Sequence, residues 1–185
     1  MASVITATTT SGLTQSADNS GVLQLASGAG NLVTVPSVTG TAMVSGNMPA
    51  FSASRSGSDQ SISSATWTKA QWNNELFDTN NRYDPTTNYR FTPNVAGYYL
   101  FTMTPLVGVS SSFTDVYIQF YINGAGNNQY AYFQPNGTTI SPSLQIIISM
   151  NGTTDYIESY IRITGTSPVI YAGGGVFNGV LVRAA

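Results

Sequence analysis

Asn80-Asn81-Arg82-Tyr83-Asp84-Pro85, followed by Phe91-Thr92-Pro93-Asn94-Val95-Ala96-Gly97-Tyr98-Tyr99-Leu100-Phe101, is the stretch whose reading decides the fold. The first run is crowded with Asn, Asp and Pro, residues that favour turns through local hydrogen bonds and a fixed φ. Pro93 disfavours helix at Thr92 and removes a ladder donor, which suits the approach to a strand. Gly97 permits close approach of a neighbouring backbone, and Phe101 supplies apolar bulk for a sandwich of two sheets.

Outward from this stretch the pattern is all-β. Strand-like runs cover Gly97–Val107, Phe113–Ile122, Ser143–Ser149, Asp155–Ile163 and Val176–Val182, and no helix of convincing amphipathic length interrupts them. Asn123-Gly124, Asn136-Gly137 and Asn151-Gly152 tolerate positive φ and predict turns between antiparallel strands. Strand periodicity puts Val116, Ile118, Phe120 and Ile122 on one face and Tyr117, Gln119 and Tyr121 on the other. In the same way Tyr156, Glu158, Tyr160 and Arg162 oppose Ile157, Ser159, Ile161 and Ile163. Tyrosine on a strand is ordinarily a half-buried packing residue. Two successive strands with tyrosine-rich second faces nevertheless expose much aromatic area in a monomer, which predicts subunit association. Gly173-Gly174-Gly175 has no accompanying Lys and helix, so it reads as a bend before the last strand and not as a phosphate loop.

Composition narrows the function. Charged residues make up 8% of the 185, well below the usual share, and the net charge is -2 with Lys69 the single lysine. There is no basic stripe to neutralise phosphates or anionic lipid, which argues against nucleic-acid partners and membrane binding. No segment reaches the length of apolar sequence that membrane insertion needs. The start, Met1 to Thr8, lacks a basic region followed by an apolar run, so the expectation is a protein made in the cytoplasm without a cleaved secretion signal.

Residues 1–46 differ from the rest in having no aromatic residue and one charge, Asp18. This shift predicts two parts, an arm of residues 1–46 and a head of residues 47–185. Val22-Leu23-Gln24-Leu25 and Leu32-Val33-Thr34-Val35 flank Ser27-Gly28-Ala29-Gly30-Asn31 as a short hairpin would, and such a hairpin is marginal alone. It is expected to pair with copies of itself or dock on a partner through main-chain hydrogen bonds.

The order of motifs from Met48 to Arg183 resembles the C1q-like domain, one of the tumour-necrosis-factor-like (TNF-like) jelly rolls. Met48-Pro49-Ala50-Phe51-Ser52-Ala53 resembles its first inner strand, and Trp72 through Asp78 the strand before its Tyr-Asp loop. Tyr83-Asp84 and Phe91 through Phe101 are the most specific match. Tyr121-Ile122-Asn123-Gly124, Asn151-Gly152 and Val176 through Val182 resemble a strand ending in Asn-Gly, a Gly-Asp turn and the closing strand. The resemblance implies an all-β, ten-stranded jelly-roll sandwich assembled as a homotrimer with aromatic-rich faces around the threefold axis. Tyr117, Tyr121, Tyr156, Tyr160 and Phe177 are the interface candidates on that basis. The leader from Leu13 to Leu25 is similar to short β-rich leaders on structural proteins of tailed bacteriophages.

Chemistry is sparse. With no His and no Cys, the usual proton shuttle, thiol nucleophile and nitrogen or sulfur metal ligands are missing, and the carboxylates are scattered and read as turn or surface residues. No enzyme activity and no cofactor are expected. Asp78 and Asp84 bracket an oxygen-rich loop that raises calcium as a candidate ligand, against the plainer reading of a turn held by side-chain hydrogen bonds. The combined expectation is a phage virion protein, assembled in the host cytoplasm and displayed on the virion surface as a fibre, decoration or adhesin knob. Residues 1–46 would attach it to other virion proteins, and loops around Asn127-Asn128-Gln129 and Asn136-Gly137 would meet a host-surface glycan or protein. The competing expectation is a free C1q-like module that binds carbohydrate or protein.

Overall fold

A computed structural model describes Leu23–Ala26, Leu32–Val35 and residues 48–185. Chain contacts divide the protein into two units, Met1–Ala42 and Met43–Ala185. In the first, β1 (Leu23–Ala26) and β2 (Leu32–Val35) pair antiparallel, with Leu23 opposite Val35 and Ala26 opposite Leu32. The two short apolar runs of the leader therefore form the hairpin that their spacing suggested. The remainder of the 1–46 arm and its anchoring role lie outside the described residues.

The second unit is built from strands alone among the described residues. They are β3 (Ala50–Ser54), β4 (Gln60–Ser61), β5 (Thr68–Lys69), β6 (Asn74–Asp78), β7 (Tyr83–Asp84), β8 (Arg90–Phe91) and β9 (Gly97–Gly108), then β10 (Phe113–Ile122), β11 (Ala125–Phe133), β12 (Thr139–Ile140), β13 (Leu144–Met150), β14 (Ile157–Gly165) and β15 (Val169–Ala184). Thirteen segments replace the ten expected strands because several are only two residues long. Pro85, Pro93 and Pro142 follow closely on β7, β8 and β12, and each removes a ladder donor that a longer strand would need.

Two sheets result. A seven-stranded sheet runs β12-β9-β15-β3-β6, with β13 also on β9 and β4 also on β15; a six-stranded sheet runs β11-β10-β14-β8-β7, with β5 also on β14. All pairings are antiparallel, and sequence neighbours such as β9 and β10 lie in different sheets, as Greek-key connections require. Asn123 and Gly124 take φ of 52° and 80° and close the β10–β11 hairpin. The three glycines at 173–175 do not precede the last strand; they lie within β15, where the register shifts between Ile170 and Gly175.

The core lies between the sheets. Tyr99, Phe101 and Met103 alternate inward from β9 to meet Val116, Ile118 and Phe120 of β10, and all are fully buried. Phe51 stacks on Phe91 at 4.4 Å and meets Phe177 edge-on at 4.9 Å, the offset and perpendicular arrangements that ring quadrupoles favour. Gly179 makes room for this cluster, since a Cβ there would come within 2.5 Å of the Phe51 ring and 2.6 Å of the Phe101 ring. Gly97 has the close-approach role read from its position: a Cβ would lie 2.3 Å from the Arg183 carbonyl oxygen. Two buried polar side chains are paired inside this core. The Trp72 indole donates to Ser159 Oγ at 2.6 Å, and the Tyr83 hydroxyl donates to the Trp72 carbonyl at 2.9 Å.

Candidate functional site: two exposed faces of the head

The outer face of the seven-stranded sheet follows from parity. With Tyr99, Phe101 and Met103 committed to the core, Tyr98, Leu100 and Thr102 point away from it. Register then aligns Ile147 of β13, Leu100 of β9, Val180 of β15 and Ala50 of β3 in one apolar row across four strands. The next row is Gln145, Thr102, Asn178 and Ser52, closed by Phe77 of β6. Ile147 is 63% exposed, Phe77 52% and Val180 40%, although β13 and β15, which carry Ile147 and Val180, are also apolar on their inner faces. Strands apolar on both faces are normally covered on both.

Between these rows lies a groove of about 440 Å³, bordered by Phe77, Leu100, Val180 and Asn178. The Asn178 Oδ1 atom is buried and has no hydrogen-bond partner among the described residues.

The six-stranded sheet presents a different surface. Tyr117 and Tyr121 of β10 point outward, with Arg162 and Glu158 of β14 as their cross-strand partners. Tyr160 stacks on Tyr121 at 3.7 Å, and Tyr117 lies 4.7 Å from Tyr132 and 5.7 Å from Tyr130 on β11. Trp67, just before β5, covers one side of this cluster, 6.1 Å from Tyr117 and 6.2 Å from Tyr121. Tyr156 precedes β14 and carries the Arg90 guanidinium 4.2 Å above its ring. Burial pushes the Tyr117, Tyr121 and Tyr160 phenols above their ordinary range, so they remain neutral through physiological pH.

The cations on this face have partners. Lys69 Nζ contacts Glu158 Oε1 at 2.5 Å, and Arg162 Nη1 donates to Asp115 Oδ1 at 3.0 Å. Glu158 is almost wholly buried, so Lys69 supplies the compensating charge that its carboxylate needs.

Four of the five interface candidates, Tyr117, Tyr121, Tyr156 and Tyr160, thus come together on the six-stranded side. Phe177 does not join them. It is fully buried in the aromatic core, because its parity on β15 matches Gly179 and Leu181, and it has no surface to offer a partner. The exposed apolar residues of the other sheet were missed, although Ile146-Ile147-Ile148 and Val180-Leu181-Val182 carried the sign of two apolar faces.

Asn127, Asn128 and Gln129 are not in a loop. They belong to β11, where the pairing with β10 slips between Gln119 and Tyr121 and leaves three residues bulging. Asn128 takes φ of 60° there, and Gln129 donates its backbone N–H to Asn127 Oδ1. The bulge borders an open groove of about 850 Å³ between the sheet edges, with Gln145 and Ile147 on the far side. Asn136 is exposed on the turn between β11 and β12.

The acids considered for calcium serve turns. Asp84 accepts from the backbone N–H of Thr86, Thr87 and Asn88 and from the Asn88 side chain at 2.8–3.0 Å, and the Thr87 N–H foremost holds its carboxyl well below the usual range. Asp78 similarly accepts from the N–H groups of Asn80, Arg82 and Tyr83. Their oxygens point into donor-lined turns, and no group of three or more His, Cys, Asp or Glu side chains suited to a metal occurs among the described residues.

No protein-family model matches the sequence, and no curated protein does. Solved structures do match. The globular domain of zebrafish complement 1qA protein is 17% identical over 74% of this chain and 98% of its own, with a TM-score of 0.50. PRD1 vertex protein P5 is 13% identical over 73% of this chain and 97% of its own, with a TM-score of 0.54. Murine APRIL is 10% identical over 73% and 99%, with a TM-score of 0.53. At these identities the likeness concerns the fold.

Proposed function

From a head that folds as a C1q/TNF-like jelly roll, we propose that the chain is a structural subunit of a bacteriophage particle, a homotrimeric knob joined through its arm to other virion proteins. The observation that carries the assembly is the outer face of the seven-stranded sheet, with its apolar row of Ile147, Leu100, Val180 and Ala50 beside the groove. In a ring of three, the groove beside Asn178 on one protomer would receive apolar side chains of the next.

This reading moves subunit contacts away from the tyrosine cluster. It also assigns the head a binding or structural role, without catalysis. The virion assignment draws support from the likeness to PRD1 vertex protein P5 and from the leader, whose paired strands are free of aromatic side chains. A host-surface ligand belongs to the same reading, since a knob on a particle surface meets the host first.

The test is to delete residues 1–46 and follow incorporation into particles with an antibody to the head. Loss of incorporation with a folded head supports the anchor; unchanged incorporation overturns it. The likeness to the complement domain favours a second reading, a free recognition module. Recovery of the intact chain outside cells in a form that does not sediment with particles would select that reading.

A further inference from the structure

We propose that Asn136 is a site of spontaneous covalent modification, losing its side-chain ammonia through attack by the Gly137 backbone nitrogen. The chemistry does not depend on the function proposed above. Asparagine followed by glycine is the dipeptide most open to this reaction, because glycine has no Cβ to crowd the nitrogen as it closes on the side-chain carbonyl. The chain contains four such pairs, beginning at Asn123, Asn136, Asn151 and Asn178, and the dipeptide alone ranks them equally. The fold does not.

Ring closure requires a side chain free to rotate onto the following nitrogen and a peptide free to turn toward it. The Asn123 side chain is held at both ends: Oδ1 accepts from the Tyr156 N–H at 2.9 Å, and Nδ2 donates to Asp155 Oδ1 at 2.9 Å. Asn151 Oδ1 accepts from the N–H groups of Thr153, Thr154 and Asp155 at 2.9–3.0 Å, and Nδ2 donates to Thr154 Oγ1 at 2.8 Å. Gly152 is also pressed against a neighbouring backbone, since a Cβ there would lie 2.3 Å from the Ala96 nitrogen. Asn178 lies within β15, where pairing with β3 and β9 on either side fixes its peptide to Gly179, and Gly179 is buried. Asn136 differs on each count. It is exposed on its turn, and among the described residues neither its side chain nor the Gly137 N–H makes a hydrogen bond. A Cβ at Gly137 would meet nothing within 4 Å, so the nitrogen is open to rotation and to solvent.

In the reaction the Gly137 nitrogen loses its proton and bonds to Asn136 Cγ, the Cγ–Nδ2 bond breaks, and ammonia leaves with that proton. Water then opens the succinimide at either carbonyl and leaves aspartate or isoaspartate, the latter with an extra methylene in the main chain. Water is the sole co-reactant. Each conversion adds one negative charge to a chain whose formal net charge is -2.

The full chain is aged in mildly alkaline buffer, native and in parallel unfolded in urea. Samples are digested at low pH and mapped by mass spectrometry, with isoaspartate quantified by enzymatic methyl transfer. In the native chain Asn136 is expected to convert at least about tenfold faster than Asn123, Asn151 or Asn178, a rate ratio equal to about 1.4 kcal/mol of barrier. In urea the four sites should converge, since all precede glycine. Asn136→Gln should remove the early acidic species on ion exchange while the melting of the head stays unchanged. Native conversion at Asn136 no faster than at the other three sites overturns the proposal. So does a spread of rates in urea as wide as in the native chain, because neighbouring sequence and not the fold would then set the order.

Discussion

Replacing Ile147 and Val180 together by Arg separates the two faces of the head. Fully burying a side chain of this size is worth about 1.5–3 kcal/mol, and Ile147 is still 63% exposed and Val180 40% exposed in the protomer. Scaling by those fractions leaves about 1–2 kcal/mol to be gained at Ile147 and about 0.6–1.2 kcal/mol at Val180 when a neighbour covers them. Across three protomers the pair accounts for roughly 5–9 kcal/mol of assembly, more than a thousandfold in the association constant. Arginine adds the cost of an unpaired buried charge at each site, so the variant should be monomeric at micromolar concentration. Light scattering after size exclusion should report about three times 19.6 kDa for the natural chain and 19.6 kDa for the variant. Both positions face outward, so far-ultraviolet dichroism and the melting of the head should change little. Tyr132→Arg on the other sheet should remain trimeric. Assembly retained by the Ile147→Arg, Val180→Arg chain and lost by Tyr132→Arg would refute the assignment of faces.

Three further outcomes concern polar side chains that the head holds in fixed hydrogen bonds. Ser159→Ala leaves the Trp72 indole N–H without its buried acceptor and should cost about 1–3 kcal/mol in urea unfolding, with no change in m-value. Lys69→Met strands the buried Glu158 carboxylate and should cost about 3–5 kcal/mol, whereas pairing it with Glu158→Leu should recover most of the loss in a double-mutant cycle. Asp84 is held below its unfolded pKa of about 3.9, so its contribution is complete above that value and lost as pH falls through the lower folded pKa. Asp84→Asn should therefore destabilise the head at pH 7 by about 1 kcal/mol, an exposed turn limiting the effect, and should flatten the acid limb of the stability–pH curve.

The sequence carried the fold because its local and non-local constraints coincide. Pro93, Gly97 and Phe101 each impose a condition on one strand, and β9 meets all three by running beside β15 with Phe101 in the core. Alternation in β10 and β14 likewise assigned Ile118 and Ile161 inward and the tyrosines outward correctly. The site was harder to read. Alternation along Val176–Val182 gives two faces but not which of them is core, and only the pairing of β15 with β9 and β3 decides for Phe177. Tyrosine drew attention as the conspicuous residue, yet on the six-stranded sheet the rings pack laterally on one another and on cations. Aliphatic residues on both faces of β13 and β15 were the stronger mark of a covered surface. The bulge that carries Asn127 to Gln129 was equally hidden, since it depends on the register between two strands and not on the residues of one.

The cysteine-free chain permits a direct measurement of which face is covered. Single substitutions Ile147→Cys, Val180→Cys and Tyr132→Cys are made in the full chain, and the rate of maleimide labelling is followed under native conditions at concentrations where the protein is assembled. The account predicts slow labelling at 147 and 180, accelerated on dilution, and fast labelling at 132 that dilution does not change. Fast, dilution-independent labelling at 147 and 180 with protection at 132 would contradict it.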